Sequence, residues 1–285
     1  MGLCTSRQRA LNSGLDSHGS SPSSSSSSSL SSSLSSYSIR EKLGSGGFGT
    51  VYKVLHTPSG EELVAKKMET SRSGSAEIVH MANLRHPNII RLLEYHITGR
   101  FTFLILEFLP GSMDLFDFID IRGRLKEHNA RYITAQLCYA LSYLHEERSL
   151  AHLDVKPENL LIAPTTGQVK LIDFGAAQRI TSSPCTTFRG TRQYACPEIL
   201  FSQNYDPVSA DIWAVGVTLH KMLFGFLPFK KTRDYLKPLS LVPGDGVGET
   251  CVRTLLTILH PNPSYRPASV REISRGPWIT GRPMS

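Results

Sequence analysis

No apolar run in the 285 residues reaches the roughly 18 that a membrane-spanning helix needs. No secretory apolar core follows the N-terminus either, so a cytoplasmic location is expected. The five cysteines (Cys4, Cys138, Cys185, Cys196 and Cys251) are scattered, with no C-x-x-C pair. That excludes a disulfide framework or a zinc site of the usual spacing and points to a reducing compartment. Runs of lysine or arginine are missing, as are nucleic-acid motifs, so no nucleic-acid partner is expected. A net charge of +7 is nevertheless present. It fits a solvated surface, or attraction to an anionic membrane or acidic partner. From Ser20 to Ser36 the chain is nearly all serine and offers little apolar surface. Residues 1–36 are therefore expected to form a disordered tail.

The extreme N-terminus carries a different signal. Met1-Gly2-Leu3-Cys4-Thr5-Ser6 has the glycine and serine of a myristoylation pattern. Cys4 stands where a second acyl chain could be added, and one myristoyl chain alone anchors only marginally. Arg7 and Arg9 would add attraction to anionic lipid. Membrane association through Gly2 and Cys4 is the resulting expectation.

The remainder is rich enough for a sizeable core, at 40% hydrophobic overall. Its chemistry centres on Ala151-His152-Leu153-Asp154-Val155-Lys156-Pro157-Glu158-Asn159. An acid, a cation and an amide stand there at fixed offsets. Phosphoryl transfer from ATP needs such a set: a carboxylate for the substrate hydroxyl proton, a cation against phosphoryl charge, and an amide oxygen for a metal ion. Asp173, fourteen residues after Asn159 and followed by Phe174-Gly175, supplies a second metal-binding group.

These two stretches, in this order, resemble the catalytic and metal-binding loops of eukaryotic-type protein kinases. Lys156 with Asn159 resembles the serine/threonine class. Other segments resemble calmodulin-dependent and PIM-like kinases (Leu115-Phe116-Asp117-Phe118-Ile119) and Mos (His152-Leu153-Asp154). The likeness covers residues 37–281. It implies an α+β fold of two lobes: a small, mainly β lobe over 37–109 and a larger, mainly α lobe over 110–281. It also implies transfer of the γ-phosphoryl of Mg-ATP to protein serine or threonine. The rival reading is a pseudokinase scaffold that binds nucleotide and partner without transfer. Loss of Lys67, Asp154 or Asp173 would favour it, and none is lost.

The small lobe supplies further matches. Leu43-Gly44-Ser45-Gly46-Gly47-Phe48-Gly49-Thr50-Val51 carries G-x-G-x-x-G-x-V, in which glycines let backbone fold over phosphates. A strand, not a helix, continues from Val51, which disfavours the dinucleotide fingerprint. Two lysines compete for the phosphate role in Val64-Ala65-Lys66-Lys67. The V-A-x-K spacing selects Lys67. Strand alternation puts Ala65 and Lys67 on one face and Lys66 on the other, expected to be the solvated one. Glu77 is the expected partner carboxylate of Lys67, with Glu69 the weaker alternative. Only nine residues separate Lys67 from Glu77, and Ser71-Arg72-Ser73-Gly74-Ser75 is poor helix material, so a helix shortened at its N-terminal end is expected.

By the same resemblance, Glu107 and Leu109 offer backbone groups to adenine, with Leu106 at the back of the pocket. Leu43, Val51, Ala65 and Leu161 sandwich the base, while Asn159 and Asp173 hold Mg²⁺. Asp154, Lys156 and Lys67 form the catalytic set. Thr191 would bond Asp154 and Lys156, Asp211 would brace the catalytic loop, and Arg266 would pair with Glu198. Leu153 replaces the arginine usual before the catalytic aspartate, so activation by phosphorylation at Thr186 or Thr187 is not expected to be required. Asp114, Asp117 and Glu158 resemble positions where kinases of basic substrates carry acids. The plainer role for Asp114 is a helix cap. The expected partner is a protein substrate, basic around its target residue.

Overall fold

A computed structural model of the protein describes residues 34–46, 49–70, 72–201, 204–244 and 246–281, with backbone alone for 72–75. Gly2, Cys4 and the serine tract up to Ser33 lie outside the described residues, as do Gly47 and Phe48 of the glycine loop, whereas Leu34, within the expected disordered tail, is buried. The chain divides into two compact units. The smaller holds the described residues up to Thr70 together with Leu93–Phe108, and the larger holds those of Ser71–Leu92 and Leu109–Ser285. The division is thus not the contiguous one at residue 109.

In the smaller unit, β1 (Tyr37–Gly46), β2 (Gly49–His56), β3 (Glu61–Glu69), β4 (Leu92–Thr98) and β5 (Phe101–Glu107) form one sheet, in the order β1-β2-β3-β5-β4. The run Phe101-Thr102-Phe103-Leu104-Ile105-Leu106 reads as a strand because aromatic and β-branched side chains suit a pleated surface. One face of the sheet buries Val54, Leu63, Ala65 and Ile105 with Leu34, and Tyr37, Tyr52 and Phe103 pack against them.

The larger unit begins with α1 (Arg72–Met81). The helix therefore includes the segment of poor propensity instead of starting after it. Beyond it, Asn88 and Ile90 bond backbone to Leu171 in β9 (Gln168–Leu171), which ties this stretch to the larger unit. β6 (Met113–Asp114) and β8 (Leu160–Ala163) complete a three-stranded sheet with β9.

Around this small sheet the unit is helical. α2 (Leu115–Arg122) starts at Asp114, whose Oδ1 accepts from the Asp117 N–H at 2.8 Å. α3 (Glu127–Ser142) packs on α5 (Pro207–Phe224) and α7 (Val270–Arg275). The start of α5 is set by Pro207 in its first turn and by Asp206, which accepts from the Val208 and Ser209 N–H groups. α5 is buried almost throughout its length. Trp213 on it is stacked on Phe229, with ring centroids 5.3 Å apart. A ring that leaves water completely removes about 150–250 Å² of surface, worth on the order of 4–6 kcal/mol before ordering costs. α4 (Pro197–Phe201), α6 (Glu249–Ile258) and α8 (Pro277–Thr280) complete the helices. As the Pro/Gly content of 230–247 leads one to expect, the described residues of that stretch hold only a 3₁₀ turn, Thr232–Leu236, and a single bridge between Gly244 and Val247.

Candidate active site

Asp154 lies in a loop whose backbone is held from beneath. Asp211, fully buried on α5, accepts the His152 N–H at 2.8 Å and the Leu153 N–H at 2.7 Å. His145 Nε2 reaches the same carboxylate at 2.8 Å, a contact the sequence did not signal. His152 is a core residue. Its ring is edge-on to Phe174 with centroids 5.0 Å apart, and its Nδ1 accepts the Asp154 N–H at 3.3 Å.

Four donors converge on the Asp154 carboxylate. Lys156 Nζ and Asn159 Nδ2 each reach Oδ2 at 2.8 Å. The Thr191 N–H and hydroxyl reach Oδ1 at 2.8 and 2.7 Å. The Thr191 hydroxyl in turn accepts from Lys156 Nζ at 2.7 Å. Burial alone would push the Asp154 carboxyl up. The hydrogen bonds from Lys156 and Thr191, with the positive charge of Lys156, overcome it and hold the group below its ordinary value. Asp154 is therefore a carboxylate across the physiological range. Accepting a substrate hydroxyl requires one of the four donors to swing aside. Lys156, on a flexible methylene stem, is the donor best able to do so.

Asn159 spends its amide N–H groups on Asp154, at Oδ2 and at the backbone carbonyl (2.8 Å each), leaving Oδ1 as an acceptor. Its own carbonyl accepts the Ile172 N–H at 2.9 Å, one residue before Asp173. Asp173 has φ +65°, and its Oδ1 accepts the Gly175 N–H at 3.2 Å. An amide oxygen and a carboxylate are hard oxygen donors of the kind a divalent magnesium ion takes. Leu161 stands in β8, paired with Asp114 and Lys170.

The expected brace at the far end of the activation segment is present. Arg266 grips Glu198 with both nitrogens, at 2.6 and 2.9 Å, and also bonds Ser209 Oγ and the carbonyls of His260 and Pro261.

The smaller unit requires a correction. Cross-strand partners share a face. Val51 lies opposite Lys66, which lies opposite Leu104, and Val64 lies opposite Leu106. The other face carries Tyr52, Ala65, Ile105, Lys67 and Phe103. Val51 and Ala65 therefore cannot sandwich one base from the same side. Lys66, expected to be solvated, is 7% exposed. Lys67 is half-buried over the aromatic rings of its own face, with Nζ 4.0 Å from the Phe101 centroid. The alternation was right, but the face bearing Lys66 is not solvated.

The glycine hairpin agrees with a close backbone approach. Gly46 pairs with Gly49, and Leu43 and Gly44 lie on β1. Gly49 has φ +119°, and a Cβ there would stand 2.1 Å from the Lys67 carbonyl oxygen, so no other residue fits. Glu107 closes β5 opposite Leu63. Leu109 is buried at the start of the second stretch of the larger unit. Glu77 is buried on α1, at 4% exposure.

Of the three acids, Asp114 is the helix cap, Asp117 is half-buried in the first turn of α2, and Glu158 is exposed. Burial, with the nearby charges of Asp117 and Glu158, pushes the Asp114 carboxyl up to about 6.

Residues 37–279 match the family described as the protein kinase domain. The chain is 31% identical over 264 residues to serine/threonine-protein kinase pim-2 of Danio rerio, covering 85% of this chain and 84% of that protein. It is 35% identical over 262 residues to serine/threonine-protein kinase SAPK5 of Oryza sativa subsp. japonica, covering 85% and 70%. It is 34% identical over 265 residues to maternal embryonic leucine zipper kinase of Xenopus tropicalis, covering 85% of this chain but only 39% of that one.

Proposed function

Since the chain belongs to the protein kinase family, as a serine/threonine kinase, we propose that it moves the γ-phosphoryl of Mg-ATP to protein serine or threonine through Asp154. The carrying observation is the set of donors around that carboxylate. They keep it ionised and fix its position, as a base that receives a hydroxyl proton requires. Lys156 offsets charge on the transferring phosphoryl. Asn159 Oδ1 and the Asp173 carboxylate hold Mg²⁺, which when bound neutralises phosphate charge.

Lys66 takes the phosphate-binding role in place of Lys67. It shares its face with Val51, Val64, Leu104 and Leu106, the apolar set suited to a flat base. The test is steady-state phosphorylation of a serine peptide. Asp154→Ala should lower kcat by on the order of 10²–10⁴. Lys66→Met should abolish transfer, while Lys67→Met keeps most of it. A reversed lysine result removes the assignment of Lys66, and an unaffected Asp154 variant removes the base.

The substrate carries arginine or lysine N-terminal to the target residue. Asp114, Asp117 and Glu158 would receive it by charge-assisted hydrogen bonds. Gly2 and Cys4 carry acyl chains that tether the enzyme to membrane, on the strength of the pattern Gly2 to Ser6.

A further inference from the structure

We propose that a basic cleft at the start of α3 docks an acidic segment of a partner protein, a stretch of aspartate and glutamate bearing one apolar side chain. Binding there stands apart from the transfer chemistry, whereas its use to recruit a substrate rests on that reading. Between Asp120 and Glu146 the sequence sets four cations, Arg122, Arg124, Lys126 and Arg131, against a single acid, Glu127. Arg122 lies over the Phe118 ring of α2, 3.8 Å from its centroid. The other three line a cleft of about 650 Å³, with His128 beside them. Arg124, Lys126 and His128 are exposed, and Arg131 is half-buried. Elsewhere in the larger unit Arg253, Arg266 and Arg271 each hold a carboxylate. Among the described residues, Arg124, Lys126 and Arg131 have no such partner.

The acid in the cleft is already committed. Glu127 Oε2 accepts the Gly248 N–H at 2.6 Å, and Oε1 accepts the Trp278 indole N–H at 2.9 Å. Those bonds tie α3 to the stretch that supplies Gly246 and Val247, and the charge left facing the cleft is positive. The backbone carrying the cations is fixed. Leu125 is 4% exposed, and its N–H donates to the Met222 carbonyl of α5 at 2.7 Å. A Cβ added at Gly225 would stand 2.3 Å from the Gly123 carbonyl oxygen, so the loop meets the end of α5 directly. Arg124 and Lys126 are thus placed before any ligand arrives, which lowers the ordering cost of binding. Leu125, Leu223 and Val247 also line the cleft, and all three are buried. The base is therefore apolar and the mouth cationic. A peptide can insert a side chain into such a concave site, while a bilayer surface cannot enter it. Carboxylates flanking that side chain would meet the guanidinium groups in charge-assisted, bidentate hydrogen bonds. This docking segment is distinct from the basic stretch proposed around the target residue.

The experiment titrates the full chain, without ATP, into a short labelled peptide of aspartate and glutamate with one central leucine, and reads fluorescence anisotropy. Saturable binding is expected, weakening severalfold between 0.05 and 0.5 M salt. Arg124→Glu combined with Lys126→Glu should weaken it at least tenfold, and Arg131→Ala about threefold. Arg131→Ala also tests the site should the double variant not fold. Arg40→Glu with Lys42→Glu, both exposed in the smaller unit, changes net charge equally and should stay within twofold. A peptide with serine in place of its leucine should bind about fivefold less tightly. Fused to a serine peptide, the acidic segment should lower KM about fivefold in wild type and not in the Arg124/Lys126 variant, with kcat within twofold. Absence of saturable binding by wild type overturns the proposal, as does equal weakening by the two double variants. Wild type that adsorbs to phosphatidylserine vesicles through Arg124 and Lys126 but takes no peptide makes the cleft a lipid contact, which overturns it too. Peptide binding without transfer to any serine or threonine substrate would sink the transfer reading and leave the docking site standing.

Discussion

Asp114 carries a charge that switches close to physiological pH. Its carboxyl is lifted to about 6 by burial and by the neighbouring charges of Asp117 and Glu158. A raised carboxyl binds its proton more tightly folded than unfolded. Its contribution to stability therefore grows as pH falls through about 6 toward the unfolded value, and ionisation above 6 works against the fold. At pH 7.5 the group is charged and can receive a substrate guanidinium; at pH 5 it cannot. Preference for arginine over alanine two or three residues before the target serine should thus weaken severalfold between pH 7.5 and 5. Asp114→Asn keeps the helix cap, since asparagine caps as well as aspartate. It should leave a weak preference that no longer depends on pH. Peptide rate ratios across that range check this, and a wild-type ratio unchanged at pH 5 rules Asp114 out. Side-chain placement at this scale was only partly legible in the sequence. Alternation along β3 separates Lys66 from Lys67, but parity does not say that both faces are covered. That depends on β3 meeting Val51 of β2 and Leu104 of β5 in a register set by hairpins elsewhere. The string Val64-Ala65-Lys66-Lys67 selects Lys67 by its V-A-x-K spacing alone, which carries no information on that register.

Among the elements, the start of α4, the start of α5 and the loop after α6 meet at one guanidinium. Arg266 has no exposed side-chain surface, and each of its nitrogens is bonded. Its plane also lies 4.7 Å from the Trp213 ring centroid. Removing one partner of a buried pair strands the other charge, a loss of about 3–5 kcal/mol. Arg266→Ala should lower the urea midpoint by a corresponding amount, and Arg266→Lys should recover little, because an ammonium cannot reproduce the fork. A loss under about 1 kcal/mol would mean that the pair is not what joins these elements. Elements with strong local signals were legible. The apolar period of α3, at Ile133, Leu137 and Leu141, could be read directly, whereas α5 begins at Pro207, four residues before the Asp211 from which its apolar run reads as a helix. The start of α1 was not legible either, since Ser71 to Ser75 has low helix propensity. Propensity is a weak prior that tertiary packing overrides, and the segment after α1 is anchored to β9.

For the molecule as a whole, the charge balance bears on where the kinase works. It carries 31 lysines and arginines against 24 acids. A surface potential of that sign draws a protein toward anionic lipid but is screened within about 8–10 Å at physiological salt. Electrostatics alone therefore gives weak, salt-sensitive adsorption. Under the proposed acylation, one myristoyl chain on Gly2 would also be marginal, at about 0.8 kcal/mol per buried methylene and with reversible binding. Stable attachment needs two such contributions, and Cys4 offers a second acyl chain two residues away. The three therefore rank in effect. Gly2→Ala should move the protein wholly to the soluble fraction of cells, because the first chain brings Cys4 to the membrane. Cys4→Ser should leave partial attachment held by one chain and the net positive charge, released by raising salt to 0.5 M. Wild type should resist that salt. Recovery of wild type in the soluble fraction at low salt would show that Gly2 and Cys4 are not acylated, and attachment unaffected by Gly2→Ala would place the anchor elsewhere.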